Sequence, residues 1–325
     1  MTSSRARWRK LLIAALKLVL VVAVVWGVHR TLRTAIDDLD RQEWSVRSLQ
    51  PAWLVISAIA YIAGQLPSSL FWGRLLRLFG QPAATLRVVR SWYIGSLGKY
   101  VPGKAMVIVL RTALLRADGV GIAVSTATIF YETLTTMAVG AFVAGAILMA
   151  MRHDSVQLTL LSAALMLVAG GPTVPAIFKR LARAAGIDRA APEAIDRLDH
   201  LGWRGLGQAW LSIAVGWCLV GLSIWAALCA IDGESSHATA SQVALSIAAG
   251  ALAVVAGFVS FIPGGLVVRD LVMLELLAPA VGEGPALVCA LVARLVWLLS
   301  EVAISIILYA VGRSPKKPSP TTTPE

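Results

Sequence analysis

The stretch Arg90-Ser91-Trp92-Tyr93-Ile94-Gly95-Ser96-Leu97-Gly98-Lys99-Tyr100-Val101-Pro102-Gly103-Lys104-Ala105-Met106-Val107-Ile108-Val109-Leu110-Arg111 decides how this chain folds. Only eight uncharged residues separate Arg90 from Lys99, and only six separate Lys104 from Arg111. A helix needs about 20 residues to cross the hydrocarbon core of a bilayer. Neither piece is long enough, and Pro102-Gly103 between them breaks any continuous helix. The spacing therefore predicts a re-entrant helical hairpin that enters the membrane from the cytoplasmic side and returns to it.

That a membrane is involved follows from composition. Of 325 residues, 58% are hydrophobic and 14% charged, with a mean hydropathy of +0.76. Soluble domains carry about 25% charged residues. No soluble core of this length could hide so much apolar surface, which excludes a soluble enzyme. The net charge of +11 would point to nucleic acid in a soluble protein. In a membrane protein it is the expected signature of basic cytoplasmic loops, so no nucleic-acid partner is inferred.

On the N-terminal side of the hairpin, Arg5, Arg7, Arg9 and Lys10 precede an apolar run from Leu11 to Val28, read as an uncleaved first span. Residues 29–50 carry both charge signs, with Leu32, Ile36 and Leu39 at helical spacing, and predict an amphipathic segment on the outer surface. A span from Pro51 to about Gly73 leads to a basic loop holding Arg74, Arg77, Arg87 and Arg90. Beyond the hairpin, spans are predicted at Gly119–Met151, at Leu158–Phe178 with an interruption at Gly170-Gly171-Pro172, at Leu206–Ile231 and at Pro285–Gly312.

The uncharged stretch from Ala238 to Val268 ends in Phe261-Ile262-Pro263-Gly264-Gly265. Its length permits a full span at 242–262, but that choice would place Arg313, Lys316 and Lys317 outside. A second re-entrant hairpin, opening outward, places them inside. With this topology the inner segments hold 17 Lys and Arg and the outer ones 5, as the positive-inside rule requires. The expected fold is an all-α polytopic membrane protein of about six full spans plus two re-entrant hairpins, with both termini cytoplasmic in the cell (inner or plasma) membrane. One domain covers 1–312 and a disordered tail covers 313–325. Within the domain, units of about 51–151 and 206–312 share one plan in opposite orientation. Corresponding interrupted helices in such an inverted repeat mark the binding site of many transporters.

Chemistry-bearing motifs are few. No nucleotide-binding glycine loop, GxSxG or HExxH motif and no acidic metal cluster occurs in the sequence, so neither cofactor nor metal is inferred. The three cysteines, Cys218, Cys229 and Cys289, lie in apolar stretches without a CxxC and are read as packing thiols. The eleven Trp, among them Trp26, Trp53 and Trp92, are read mostly as interfacial anchors.

The chain resembles the transmembrane region of lysylphosphatidylglycerol synthases, also called the flippase-like domain. The resemblance is carried by Ser96-Leu97-Gly98-Lys99-Tyr100-Val101-Pro102-Gly103-Lys104, then Arg111 and Gly119-Val120, and in the second half by Ile262-Pro263-Gly264-Gly265, Arg269 and Arg294. It spans about residues 10 to 312. The family's second-half motif commonly reads Gly-x-Arg-Glu, and Val267-Val268-Arg269-Asp270 departs from it at the glycine and shortens the acid. The resemblance implies lipid translocation between leaflets or a related lipid-handling role, with no soluble synthase domain in the matched region. Its relatives are associated with aminoacylated phospholipids, hopanoid pathways and isoprenoid-linked sugars, so the implied partner is a membrane phospholipid or an isoprenoid-linked lipid.

Charged groups within the hydrocarbon cost about 2.5–3.5 kcal/mol each on insertion scales and need partners or a purpose. Lys99, Lys104, Arg111, Arg269 and Arg294 are the expected headgroup contacts, because guanidinium binds phosphate bidentately and ammonium adds a point charge. Glu132, Asp270 and Glu301 are the expected charge partners. Glu132 lies 30 residues beyond Pro102, and Arg294 31 beyond Pro263, a placement that predicts either an ion pair between them or a shared place lining the groove. Glu301, seven residues after Arg294, shares its helix face as a second partner. Helix breaks at Pro102, Gly103, Pro263 and Gly264 would add backbone donors. The reading is a flippase for a phosphate-bearing lipid. The alternatives are a membrane-embedded transferase acting on a lipid-linked substrate and a scaffold for a lipid-modifying enzyme.

Overall fold

The computed structural model describes residues 49–101, 105–151, 168–184, 197–232, 239–260 and 267–311, with the isolated positions 26, 29, 30, 33, 37, 166 and 265. The described elements are helical: α1 Pro51–Leu78, α2 Thr85–Ser96, α3 Ala105–Arg116, α4 Ile122–Met151, α5 Pro175–Ala184, α6 Gly202–Asp232, α7 Ala240–Val259, α8 Val268–Val281 and α9 Glu283–Val311. Five of them, α1, α4, α6, α7 and α9, are long and apolar enough to cross a bilayer. The predicted first span apart from Trp26, the outer amphipathic segment apart from residues 29, 30, 33, 37, 49 and 50, residues 158–165 and 167 of the span predicted at Leu158–Phe178, the breaks Pro102-Gly103 and Pro263-Gly264, Lys104 and the 313–325 tail lie outside the described residues.

Several boundaries differ from the sequence reading. Helix α1 begins with proline at its first turn and continues past Gly73 to Leu78. Arg74 and Arg77 thus lie on the helix rather than in a loop, and Arg77 sits in the last turn, where a cation complements the helix dipole. Arg87 and Arg90 are on α2. At Gly170-Gly171-Pro172 the helix does break: Gly171–Thr173 forms a 3-10 turn, Val174 is extended, and α5 starts anew. Helix α7 opens with a full capping box, Thr239 with Gln242.

The centre of the molecule is the crossing of α1 and α6. Gln50 N donates to Ala230 O at 2.9 Å, Ser57 Oγ to Ser223 O at 2.7 Å, and Arg74 Nη1 to Gln208 Oε1 at 3.0 Å. As one residue number rises the other falls, so the helices run antiparallel. They touch closely at two glycines: a Cβ on Gly216 would lie 2.5 Å from the Gly64 carbonyl oxygen, and one on Gly64 would lie 2.8 Å from the Gly216 oxygen. Small residues allow such backbone contact where no hydrophobic force drives apolar helices together.

The other helices pack around this pair in matching sets. Helices α2 and α4 pack on α1, while α7 and α9 pack on α6. The paired helices α2 and α3 have their counterpart in α7 and α8; α3 packs on α4 as α8 packs on α9. Contacts between the halves correspond too, α4 with α6 and α7, and α9 with α1 and α2. Large apolar side chains face outward along the long helices, including Ile59, Phe142, Leu211 and Ile306. Small polar groups point inward and bond between helices, as in Ser68 with Thr136 at 3.1 Å and Trp217 Nε1 with Thr136 O at 2.9 Å. An apolar exterior over a partly polar interior is the arrangement of a protein whose solvent is lipid.

Candidate functional site

The first cluster is built on α2 and α3. Their backbones meet at Gly98 and Gly95: a Cβ on Gly98 would lie 2.7 Å from Val107 N, and one on Gly95 would lie 2.4 Å from Arg111 Cγ. Ser91 Oγ donates to Arg111 O at 2.8 Å, which completes an antiparallel helical hairpin. The glycine at 95 thus makes room for the aliphatic stem of Arg111. Its guanidinium lies 4.6 Å over the Trp92 ring and 5.5 Å from that of Trp72. Arg111 Nη1 donates to Glu132 Oε2 at 2.9 Å and Nη2 to Ser96 Oγ at 3.1 Å. Both oxygens of Glu132 are occupied, since Trp92 Nε1 and Thr136 Oγ1 each donate to Oε1 at 3.3 Å and Thr133 Oγ1 donates to Oε2 at 3.4 Å.

The second cluster repeats the plan on α7 and α8. A Cβ on Gly257 would lie 2.8 Å from Arg269 Cγ, so here too a first-arm glycine seats the stem of a second-arm arginine. Arg269 lies 4.6 Å over the Trp297 ring. Beside it, Asp270 and Arg294 form a buried ion pair. The two pairs carry opposite polarity: the hairpin supplies the cation in Arg111–Glu132 and the anion in Asp270–Arg294.

Just before this pair, Val267 has φ 68° and ψ −55°, near the γ-turn region that is rare and strained for a β-branched residue. Glycine reaches that region at no steric cost. The backbone thus accounts for the glycine expected at position 267 of the motif, and this chain holds the same turn with valine.

A third cluster joins the halves. Glu301 Oε1 accepts from Lys99 Nζ at 2.5 Å and from the Tyr61 hydroxyl. Tyr61 stacks on Trp297 at 4.7 Å with 10° between the planes, and Trp297 Nε1 donates to Ser223 Oγ at 2.8 Å. Arg294, Trp297 and Glu301 fall at i, i+3 and i+7, a single stripe of α9 facing the interior.

Seven of the expected site residues are therefore described, Lys99, Arg111, Glu132, Arg269, Asp270, Arg294 and Glu301, and every one engages a charged or aromatic partner. Lys104 and the four break residues Pro102, Gly103, Pro263 and Gly264 lie outside the described residues. The expected pair of Glu132 with Arg294 is corrected: Glu132 is held by Arg111 and Arg294 by Asp270. Trp92 is corrected as well, being buried and bonded to Glu132 rather than an interfacial anchor. Sequence reading missed Tyr61, Trp297, Gly95 and Gly257. The stripe spacing of Trp297 with Arg294 and Glu301 was the available signal for one of these.

No curated protein matches the chain. The family described as the lysylphosphatidylglycerol synthase TM region matches residues 10–305. That match runs from before α1 into α9 and includes every charged residue of the three clusters, so the chain belongs to the lysylphosphatidylglycerol synthase TM region family.

Proposed function

We propose that this multi-pass protein carries a phosphate-bearing membrane lipid between leaflets of the cell membrane. The observation that carries the reading is the equivalence of Arg111 and Arg269. Each sits on the second arm of a helical hairpin, each has its stem seated on a first-arm glycine, and each lies 4.6 Å over a tryptophan. In each, Nε is buried without an acceptor. A buried guanidinium with an unfilled donor inside an apolar bundle offers a phosphate what water would otherwise provide.

In this account the hairpins α2–α3 and α7–α8 are re-entrant, flanked by about six full spans, and residues 51–151 and 206–312 are units of an inverted repeat within a domain covering 1–312. The matched packing of the two halves around antiparallel α1 and α6 supports it. Helix α7, though 20 residues long, serves as a hairpin arm because α8 folds back on it where Gly257 meets Gly265 and Arg269. Both termini are cytoplasmic. The headgroup contacts are Lys99, Lys104, Arg111, Arg269 and Arg294, with Glu132, Asp270 and Glu301 as their charge partners, while the acyl tails stay in surrounding lipid.

The experiment is mass spectrometry of lipids that co-purify with the protein in mild detergent. Phosphate-bearing lipids should be enriched over the bulk membrane, and Arg269→Ala should lose the enrichment. Wild-type protein that retains only the bulk composition contradicts the reading.

A further inference from the structure

We propose that Glu301 is a built-in occupant of the headgroup site: its carboxylate holds the place that a lipid phosphate takes, and the lipid enters by exchanging with it at Lys99. The inference rests on the translocator reading and names how its site is regulated. A carboxylate and a phosphate present the same acceptor chemistry to the same donors. Those donors come from several elements: Lys99 from the turn after α2 and Tyr61 from α1 both bond Glu301. The Tyr100 hydroxyl also bonds Glu301, and Arg269 from α8 lies 4.6 Å over the Trp297 ring on which Tyr61 stacks.

Three features separate this pair from the other two. The Lys99 side chain is 32% exposed, against 6% for Arg111 and 9% for Arg294, so a ligand can reach it. It joins residues 202 positions apart, one from each half, whereas the other pairs stay within a half. The donors to Glu301 also leave one of its oxygens unserved. Its Oε2 is buried without a partner, while both oxygens of Glu132 accept hydrogen bonds. A buried acceptor left unmatched weakens the hold of its site on that carboxylate. A phosphate, with more oxygens, can take Lys99 and Tyr61 and also fill the vacant Arg269 Nε, which Glu301 leaves unbonded.

The test is calorimetric titration of the purified full chain, in uncharged detergent, with short-chain phosphatidic acid and with short-chain diacylglycerol as the phosphate-free control. Glu301→Gln should bind phosphatidic acid about tenfold more tightly than wild type, because one charged hydrogen bond is no longer broken on entry. Glu301→Asp, whose shorter arm withdraws the charge from Lys99, should fall between them. Lys99→Gln should bind about tenfold more weakly, since the exchange point is lost. Diacylglycerol should distinguish none of them. Folded Glu301→Gln that binds phosphatidic acid no more tightly than wild type overturns the proposal. So does failure of both Glu301 variants to fold, because a displaceable carboxylate is one whose loss the structure survives. Lipid exchange by wild-type protein in vesicles is scored separately. Tightening without exchange keeps this anion site and removes transport, while exchange without tightening keeps transport and removes the role of Glu301.

Discussion

Substituting Glu132 by Leu removes the carboxylate that neutralises Arg111 and leaves the guanidinium charged in the interior. The side chains are 6% and 3% exposed, so water cannot take the place of the missing partner. Breaking one side of such a pair costs about 3–5 kcal/mol. The upper half of that range is expected, because Trp92 and the Thr133 and Thr136 hydroxyls lose their acceptor as well. Glu132→Gln, which preserves an acceptor oxygen, should cost about 1 kcal/mol less. Arg111→Met alone should destabilise by a similar amount, since Glu132 is then the stranded charge. The double variant Arg111→Met/Glu132→Leu removes both charges and should recover about 2–3 kcal/mol relative to the sum of the single losses. The assay is reversible unfolding in mixed micelles, with increasing denaturing detergent followed by tryptophan fluorescence. The same cycle run on Glu132 and Arg294, which are held in separate ion pairs, should show coupling below about 0.5 kcal/mol. Single losses that add in the Arg111–Glu132 cycle, or strong coupling in the second cycle, would refute the pairing described here.

Three further outcomes follow from individual positions. Val267→Gly should stabilise the protein by about 1 kcal/mol, since it relieves the positive φ at some entropic cost, and a loss of stability in the same micelle assay would show that the turn is unstrained. Gly98→Ala should destabilise by about 1–3 kcal/mol, because the new methyl group meets Val107 backbone rather than a movable side chain; wild-type stability would show that α2 and α3 do not meet there. In intact cells, cysteine placed at Ser236 should react with an impermeant reagent and cysteine at Ser319 should not, and labelling at Ser319 would remove the outward-opening second hairpin.

Parts of this architecture were legible because charge spacing is a ruler in lipid. The Arg90–Lys99 and Lys104–Arg111 intervals are too short for a span whatever their neighbours, and the structure folds them as two 12-residue helices. The stretch around α7 was not decidable that way, since an uncharged 20-residue helix satisfies both a span and a hairpin arm. The proposed hairpin rests on its contact with α8. The charged residues were legible as a set and not as pairs. The offsets of Glu132 and Arg294 from their prolines, 30 and 31 residues, agree to within one, but the nearer partner of each lies on the short helix that packs on its own long helix. That choice depends on helix register and on the glycines that let Arg111 and Arg269 approach, neither of which a charge count reveals. Tyr61 and Trp297 escaped because aromatic residues in apolar helices mostly serve packing or the interface.

Leaflet exchange of a labelled anionic phospholipid in proteoliposomes, beside protein-free vesicles, tests the central claim most directly. Wild-type protein should exchange the lipid faster than empty vesicles. Arg269→Ala should fall close to the empty-vesicle rate while remaining folded, and Arg269→Lys should recover part of the loss, because a point charge cannot reproduce the bidentate fork. Wild-type exchange no faster than empty vesicles, across several headgroups, contradicts lipid translocation; Arg269→Ala exchanging lipid as fast as wild type contradicts this site.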